Sequence, residues 1–359
     1  MKAVAYATLA IVALIGIVGV LAYSVYQMQY SGYTSTQLSA AAEDIARSRL
    51  EATKAQLTQD LKFSGHQAML ITAAQGGTIY PVTYWWCNSN PQPPEPEEFA
   101  FALSNFTLNY LNLYINVTNT DPKIKNLNIS VKEYGCVAID NPGKEKCIGK
   151  NSANCESFTT ATFGGGNIEV KSPSYKSYIG NLATDVELNR GYWIYWNLYT
   201  AAKERNLLMR LVNQEMRERC TGPEDTATKL RASLDDICKG FEALFDEYVK
   251  CTYEILCLGE GQTCLNTPCE REPIANLCYS SSSLKAENEI KRKPQGIEMQ
   301  AQTASARINF ILTDYKYNIP RERGLKPLKF VITAIFEAGR QECRPIDIEE
   351  KQSRNLEEI

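Results

Sequence analysis

The sequence predicts an α+β protein: an N-terminal transmembrane helix and helical stalk, then a disulfide-braced ectodomain with antiparallel sheet and a helical-hairpin insertion. Three observations predict it. Residues 3 to 42 carry no charged side chain, twelve cysteines are spread from Cys87 to Cys343, and strand-like stretches flank a central helical region.

The uncharged start is most apolar from Ala3 to Tyr26. A spanning helix needs about 20 apolar residues, so this segment reads as an anchor over residues 1–30. Tyr23, Tyr26 and Tyr30 suit the outer interface, where amphipathic rings are favoured. A cleaved signal peptide is the rival reading, although its apolar region is usually only about 7–15 residues long. A short pilin-type leader cut near Lys2 or Ala3 is a third. Lys2 and the amino terminus are the nearby positive charges, which places the N-terminus in the cytoplasm and the body outside. Small residues recur at every third position: Ala7, Ala10, Ala13, Gly16, Gly19 and Ala22. Small side chains let helices approach closely in lipid, so these positions are candidates for self-association.

Residues 31–77 read as the stalk, a long helix rich in Ala, Leu, Glu, Gln and Lys with Glu43 and Arg47 one turn apart. Gly76-Gly77 ends it. The ectodomain opens over 78–177. Four prolines between Pro91 and Pro96 make a stiff loop. Phe99, Leu103, Phe106, Tyr110 and Leu113 then repeat at helical steps and predict a core-facing stripe. Residues 124 to 139 alternate as a strand, and 157 to 171 read as a hairpin turning at Gly164-Gly165-Gly166. A helical and Cys-rich insertion follows over 178–280. Its first helix carries Tyr192, Trp193, Tyr195, Trp196 and Tyr199, and its second opens at Pro223. Five cysteines between 251 and 278 suggest a cross-linked loop. The C-terminal strands lie in 281–343, at Ile308 to Ile319 and Leu328 to Phe336, and are expected to pair with those near 124 to 171. A loose charged tail covers 344–359.

Composition excludes several classes. The net charge of −3 offers no basic footprint for nucleic acid, and 22% charged against 44% hydrophobic residues describe a folded body. The cysteines are Cys87, Cys136, Cys147, Cys155, Cys220, Cys238, Cys251, Cys257, Cys264, Cys269, Cys278 and Cys343. No pair has the two-residue spacing of a zinc or redox site. The irregular spacing points to disulfides in an oxidising compartment, with buried thiols or metal as the alternatives. His66 is the lone histidine and is read as solvated or capping. No catalytic motif, cofactor fingerprint or metal signature occurs, so no catalytic, cofactor-binding or metal residue is assigned. A hydrolase built on two carboxylates would leave no local motif. Three glycosylation sequons begin at Asn105, Asn116 and Asn128. Trp85/Trp86 and Trp193/Trp196 offer candidate stacking surfaces for a ligand.

Met1-Lys2 with the following helix, Ala73-Ala74-Gln75-Gly76-Gly77 and Tyr84-Trp85-Trp86 resemble the layout of archaeal pilin-like or single-span cell-surface proteins. The glutamate that many bacterial pilins carry near the start of the mature helix is absent. The resemblance implies a surface location and filament or adhesion roles, and it transfers no catalytic residue. The expectation is a membrane-anchored, extracytoplasmic structural or adhesive protein that binds lipid through its N-terminal helix and forms a homo-oligomer or filament. A glycan- or peptide-binding ectodomain and an extracytoplasmic hydrolase are the alternatives.

Overall fold

The computed structural model describes residues 18–25, 35–88, 90–120, 129–140, 158–165, 168–172, 175–179, 181–219, 224–261, 263–265, 269, 303–321 and 324–339. The chain is mixed α+β with antiparallel sheets. Among the described residues no helix is long and apolar enough to cross a membrane. Residues 1–17, most of the expected anchor, lie outside them, as do the linker at 280–296 and the tail at 344–359. Residues 18–25 are helical and mostly exposed.

The expected polar helix is present as α1 (Ser35–Ala74). Its end has a physical cause. Gly77 N–H bonds to the Thr72 carbonyl and Gly76 N–H to the Ala73 carbonyl, with both glycines at positive φ, the double closure that left-handed residues permit. Its later half is no bare stalk: Leu57, Leu61, Ala68, Met69 and Ala73 are all fully buried. The chain then forms β1 (Tyr84–Cys87) and β2 (Asn90–Pro91), and Pro96 opens α2 (Pro96–Thr120). The buried face of α2 is Phe99, Leu103, Thr107, Leu111 and Ile115. The expected stripe drifts off this face, and Leu113 is 56% exposed.

Two compact units emerge, each drawn from several stretches of chain. The smaller comprises residues up to Gln56, Ile115–Lys132 and Gly166–Gly180. It holds an antiparallel sheet in the order β3 (Ile129–Val131), β6 (Ile168–Ser172), β7 (Tyr175–Ile179). Asn119 of α2 clips the β3 backbone: its amide donates to the Val131 carbonyl at 2.7 Å and accepts the Val131 N–H at 3.1 Å.

The larger unit comprises Leu57–Tyr114, Glu133–Gly165 and Asn181 onward. One of its sheets is antiparallel, in the order β4 (Tyr134–Asp140), β5 (Phe158–Gly165), β8 (Ala183–Val186). Asn112 clips Tyr134 as Asn119 clips Val131, with both bonds at 3.0 Å. The single strand expected over 124 to 139 is thus two strands in two sheets. Among the described residues β5 and β6 do not pair as the hairpin expected at 157 to 171. Both edges of β5 are already taken by β4 and β8, so β6 pairs elsewhere.

The principal sheet has five strands, in the order β2-β1-β11-β10-β9. It uses β9 (Val249–Glu260), β10 (Thr303–Arg321) and β11 (Gly324–Gly339). The two C-terminal strands form as expected, but they pair with each other, with β9 and with β1. The stretch expected as a cross-linked loop from 251 therefore begins as a regular strand. One face of this sheet carries Ala306, Ile308, Phe310 and Leu312 opposite Phe336, Ala334, Ile332 and Phe330, all with no exposure. Period-two alternation puts these residues on one side.

Helices α3 (Asn189–Arg205), α4 (Leu207–Glu218) and α5 (Thr226–Glu242) complete this unit. Asp225 caps α5 by accepting the Thr228 N–H, so the helix starts after Pro223. Asn206 joins α3 to α4 at φ 42°, a conformation that asparagine tolerates. Helix α5 lies along β9. Cys238 is bonded to Cys251, Glu242 accepts the Cys251 N–H at 2.8 Å, and Glu260 accepts the Ala227 N–H at 3.1 Å. The Glu242 carboxylate thus pairs one N–H on the free edge of β9.

Candidate functional site

The two neighbouring tryptophans of β1 are the centre of the core, not a surface. Tyr84 pairs with Thr333, and Trp86 pairs with Ala334, the next residue along β11. Trp85 is therefore the extra residue of a β-bulge, which re-aims side chains. Both indoles have no exposure. Trp85 meets Phe330 at 5.7 Å and Tyr195 at 6.2 Å; Trp86 meets Phe241 at 6.1 Å, and Phe241 in turn meets Phe310 at 5.1 Å. Their N–H groups are satisfied by the Gly76 carbonyl at 2.8 Å and the Asn206 amide oxygen at 3.1 Å. Trp193 is also fully buried. These three rings cannot stack on a ligand, because their faces already pack on protein. On α3, Tyr192, Trp196 and Tyr199 stack in sequence at 6.1 and 5.5 Å. Lys203 lies over Tyr199 at 5.2 Å and bonds its hydroxyl at 2.9 Å, and Tyr199 donates to Glu95 at 2.6 Å.

A buried ion cluster lies on the same side of the principal sheet, and nothing in the sequence reading anticipated it. Arg190 opens α3, Asp246 follows α5, and Asp314 continues the inward-facing parity of β10. Arg190 bonds Asp246 through two nitrogens at 2.9 Å each, and Asp314 through Nε and through Nη2 at 2.9 Å. Its guanidinium lies 5.0 Å from the Trp193 ring. Side-chain exposure is 7% for Arg190, none for Asp314 and 24% for Asp246. Burial opposes the Arg190 charge, but the two carboxylates outweigh it and hold the guanidinium above its ordinary value. Burial likewise opposes ionisation of Asp246, yet Arg190 holds that carboxylate below its ordinary range. Two close carboxylates are what a hydrolase would need, but here one cation satisfies both. The cluster is a clamp on three elements, and each carboxylate also accepts a backbone N–H, Asp314 from Lys316 and Asp246 from Tyr248.

His66 is part-buried and bonded, not solvated. Its Nδ1 lies 2.8 Å from the Tyr317 hydroxyl, which donates to the Glu187 carbonyl at 3.2 Å. The hydroxyl has one proton, so His66 Nδ1 carries its own. Burial pushes the imidazole down; Lys62 adds to this and Glu187 opposes it. Burial pushes the Tyr317 hydroxyl up.

The cysteines supply the clearest site chemistry. Cys87 is bonded to Cys269, Cys238 to Cys251, and Cys257 to Cys264. Cys136 of β4 is also disulfide-bonded. Among the described residues no cysteine is free. Cys147, Cys155, Cys220, Cys278 and Cys343 lie outside them. Cys257 and Cys87 face away from the aromatic core, since they pair with Arg307 and Ile335. Cys264 N–H bonds to Ser305 on that same side at 3.0 Å. Among the described residues no group of three or more His, Cys, Asp or Glu is placed to hold a metal ion.

The remaining candidates divide unevenly. Asn105 is half-buried and Asn116 exposed, both on α2, and Asn128 lies outside the described residues. Of the small-residue track, Gly19 and Ala22 are exposed on the helical turn at 18–25, and a Cβ on Gly19 would meet nothing within 4 Å. Ala7, Ala10, Ala13 and Gly16 lie outside. Compared with protein-family models, characterised proteins and solved structures, the chain matches none.

Proposed function

We propose that this chain is a structural or adhesive cell-surface protein, held to the membrane by one N-terminal helix with its body outside the cytoplasm. The observation that carries the reading is the cysteine chemistry: all seven described cysteines are disulfide-bonded. Disulfides of this density persist where thiols oxidise. The uncharged run from Ala3 to Tyr26 supplies a means of reaching such a place. The burial of Trp85, Trp86 and Trp193, and the locked carboxylates of Asp246 and Asp314, favour a scaffold over a ligand pocket or a hydrolase. Self-association through Ala7, Ala10, Ala13, Gly16, Gly19 and Ala22 is part of the proposal.

The test is membrane fractionation of the full chain, with protease added to intact cells and a non-reducing mass map of the product. The expected result is a membrane-bound chain, digestible from outside, with every cysteine paired. A chain found in the cytosol with free thiols overturns the proposal. Gly16→Leu with Gly19→Leu should abolish the oligomer seen in detergent. Unchanged assembly would remove the self-association element alone.

A further inference from the structure

We infer that Asn116 is the glycan-bearing asparagine of this chain and that Asn105 is not. The inference rests on the extracytoplasmic reading above, and it separates two sequons that are equivalent as motifs.

The helix α2 presents them differently. Its buried face runs through Leu103, Thr107, Leu111 and Ile115. Asn105 stands half-buried in the middle of the helix, and Thr107, the hydroxyl residue of its sequon, has no exposure. The Thr107 hydroxyl is already committed to the Leu103 carbonyl at 2.7 Å. A transferase must read that hydroxyl, and the folded chain hides it. Asn116 lies on the same side of the helix as Asn105 but is exposed, as are Asn109, Leu113, Val117 and Thr120, and Thr118, the hydroxyl residue of its sequon, is half-buried where Thr107 is fully buried. Its sequon falls in the final turns of a helix that ends at Thr120, where local opening costs least. A glycan on this exposed asparagine projects into solvent.

The neighbours of Asn116 give a second, independent reason. Leu113 is 56% and Val117 59% exposed. They are one turn apart and form an apolar ridge that Asn116 borders. Bare apolar ridges promote association, and a bulky, solvated sugar anchored beside this one shields it.

The donor would be an oligosaccharide carried on a lipid diphosphate. Asn116 Nδ2 forms a bond to the anomeric carbon as that carbon's bond to the diphosphate oxygen breaks. The amide gives up one proton, the lipid diphosphate departs, and no group is oxidised or reduced.

The test is peptide mapping of the full chain from its own cells, scoring sugar mass and cystines in one sample. The expected result is added sugar mass on the Asn116 peptide and an unmodified Asn105 peptide. Asn116→Gln should abolish the gel shift that a deglycosylating treatment produces, and Thr118→Ser should retain it. Bare Asn116 in a chain whose cysteines are all paired overturns the inference and leaves the compartment intact. Bare Asn116 with free thiols overturns the compartment and the inference with it. Sugar on Asn105 overturns the selection between the two sites.

Discussion

The two faces of the five-stranded sheet are held by different forces. The inner face is apolar and aromatic, from Phe310 and Phe330 to Trp85 and Trp86, and helices lie on it. The outer face has Asn309 bonded to Thr333 at 2.8 Å, buried Ser305 and Ile335, and the cystines Cys87–Cys269 and Cys257–Cys264. Burial alone can stabilise the first face at ~25 cal/mol per Å² of apolar area removed from water. The second carries two cystines, which act by restricting the unfolded chain. The inner face has one cross-link of its own, since Cys251 pairs with Leu312 and is bonded to Cys238 of α5.

The largest expected effect comes from removing the long cross-link. Cys87→Ser with Cys269→Ser opens a loop of sequence separation 182, against 13 for Cys238–Cys251. Loop entropy predicts losses of about 5 and about 3 kcal/mol respectively. Denaturant unfolding checks the order. Amide exchange should accelerate at Asn88 and Cys264, while the amides of Phe310 and Ile332 keep their protection. Equal acceleration on both faces would break the contrast.

Next, the inner face has a polar exception in Asp314. Arg190→Met leaves that fully buried carboxylate without its cation, and about 3–5 kcal/mol of stability should be lost. The loss should be the same with and without reductant, as measured by thermal unfolding. Replacing Arg190, Asp246 and Asp314 together by apolar residues should recover most of it.

Asn309→Ala probes the outer face without touching a cystine. It strips the Thr333 hydroxyl of its partner and should cost about 1 kcal/mol in urea unfolding. A cost several times larger would show that polar bonds, not cross-links, hold that side.

The smallest effect concerns His66, whose folded value lies below the ordinary 6.5. The unfolded chain therefore takes up this proton at a higher pH than the folded chain does. The stability it governs is full above pH ~6.5 and is lost as pH falls through the window down to the folded value. His66→Gln should flatten that part of the stability–pH curve. An unchanged curve would mean that His66 titrates as in the unfolded chain.

Much of the secondary structure was legible, because helix α1 is rich in strong helix formers and helix α2 and the last two strands have local periodicity. The Gly76-Gly77 stop was legible for the same reason: only a few residues accept positive φ. Strand β9 was missed although Val249, Cys251, Tyr253 and Ile255 alternate, because cysteines were read as cross-link positions and not as apolar ones. The pairing of β5 and β6 depends on which edges are already filled, and that is a property of the whole sheet. The tryptophan pair could be offered as a candidate ligand surface because the bulge that turns Trp85 inward leaves no mark in the pattern. The ion cluster joins residues 190, 246 and 314, and no local window contains them all. Its one visible trace is Asp314, a charge on the inward parity of a strand that otherwise reads apolar. The asparagines at 112 and 119 were legible only as composition, yet each grips a strand backbone.

The bond between Cys87 and Cys269 has a consequence for wear. A protease that nicks the backbone at any point between them produces two fragments that stay joined by sulfur. The distal piece remains tied to the proximal one, and a cut between the two cysteines releases nothing until a reductant arrives. A molecule built this way can be cut there and still keep its two parts together.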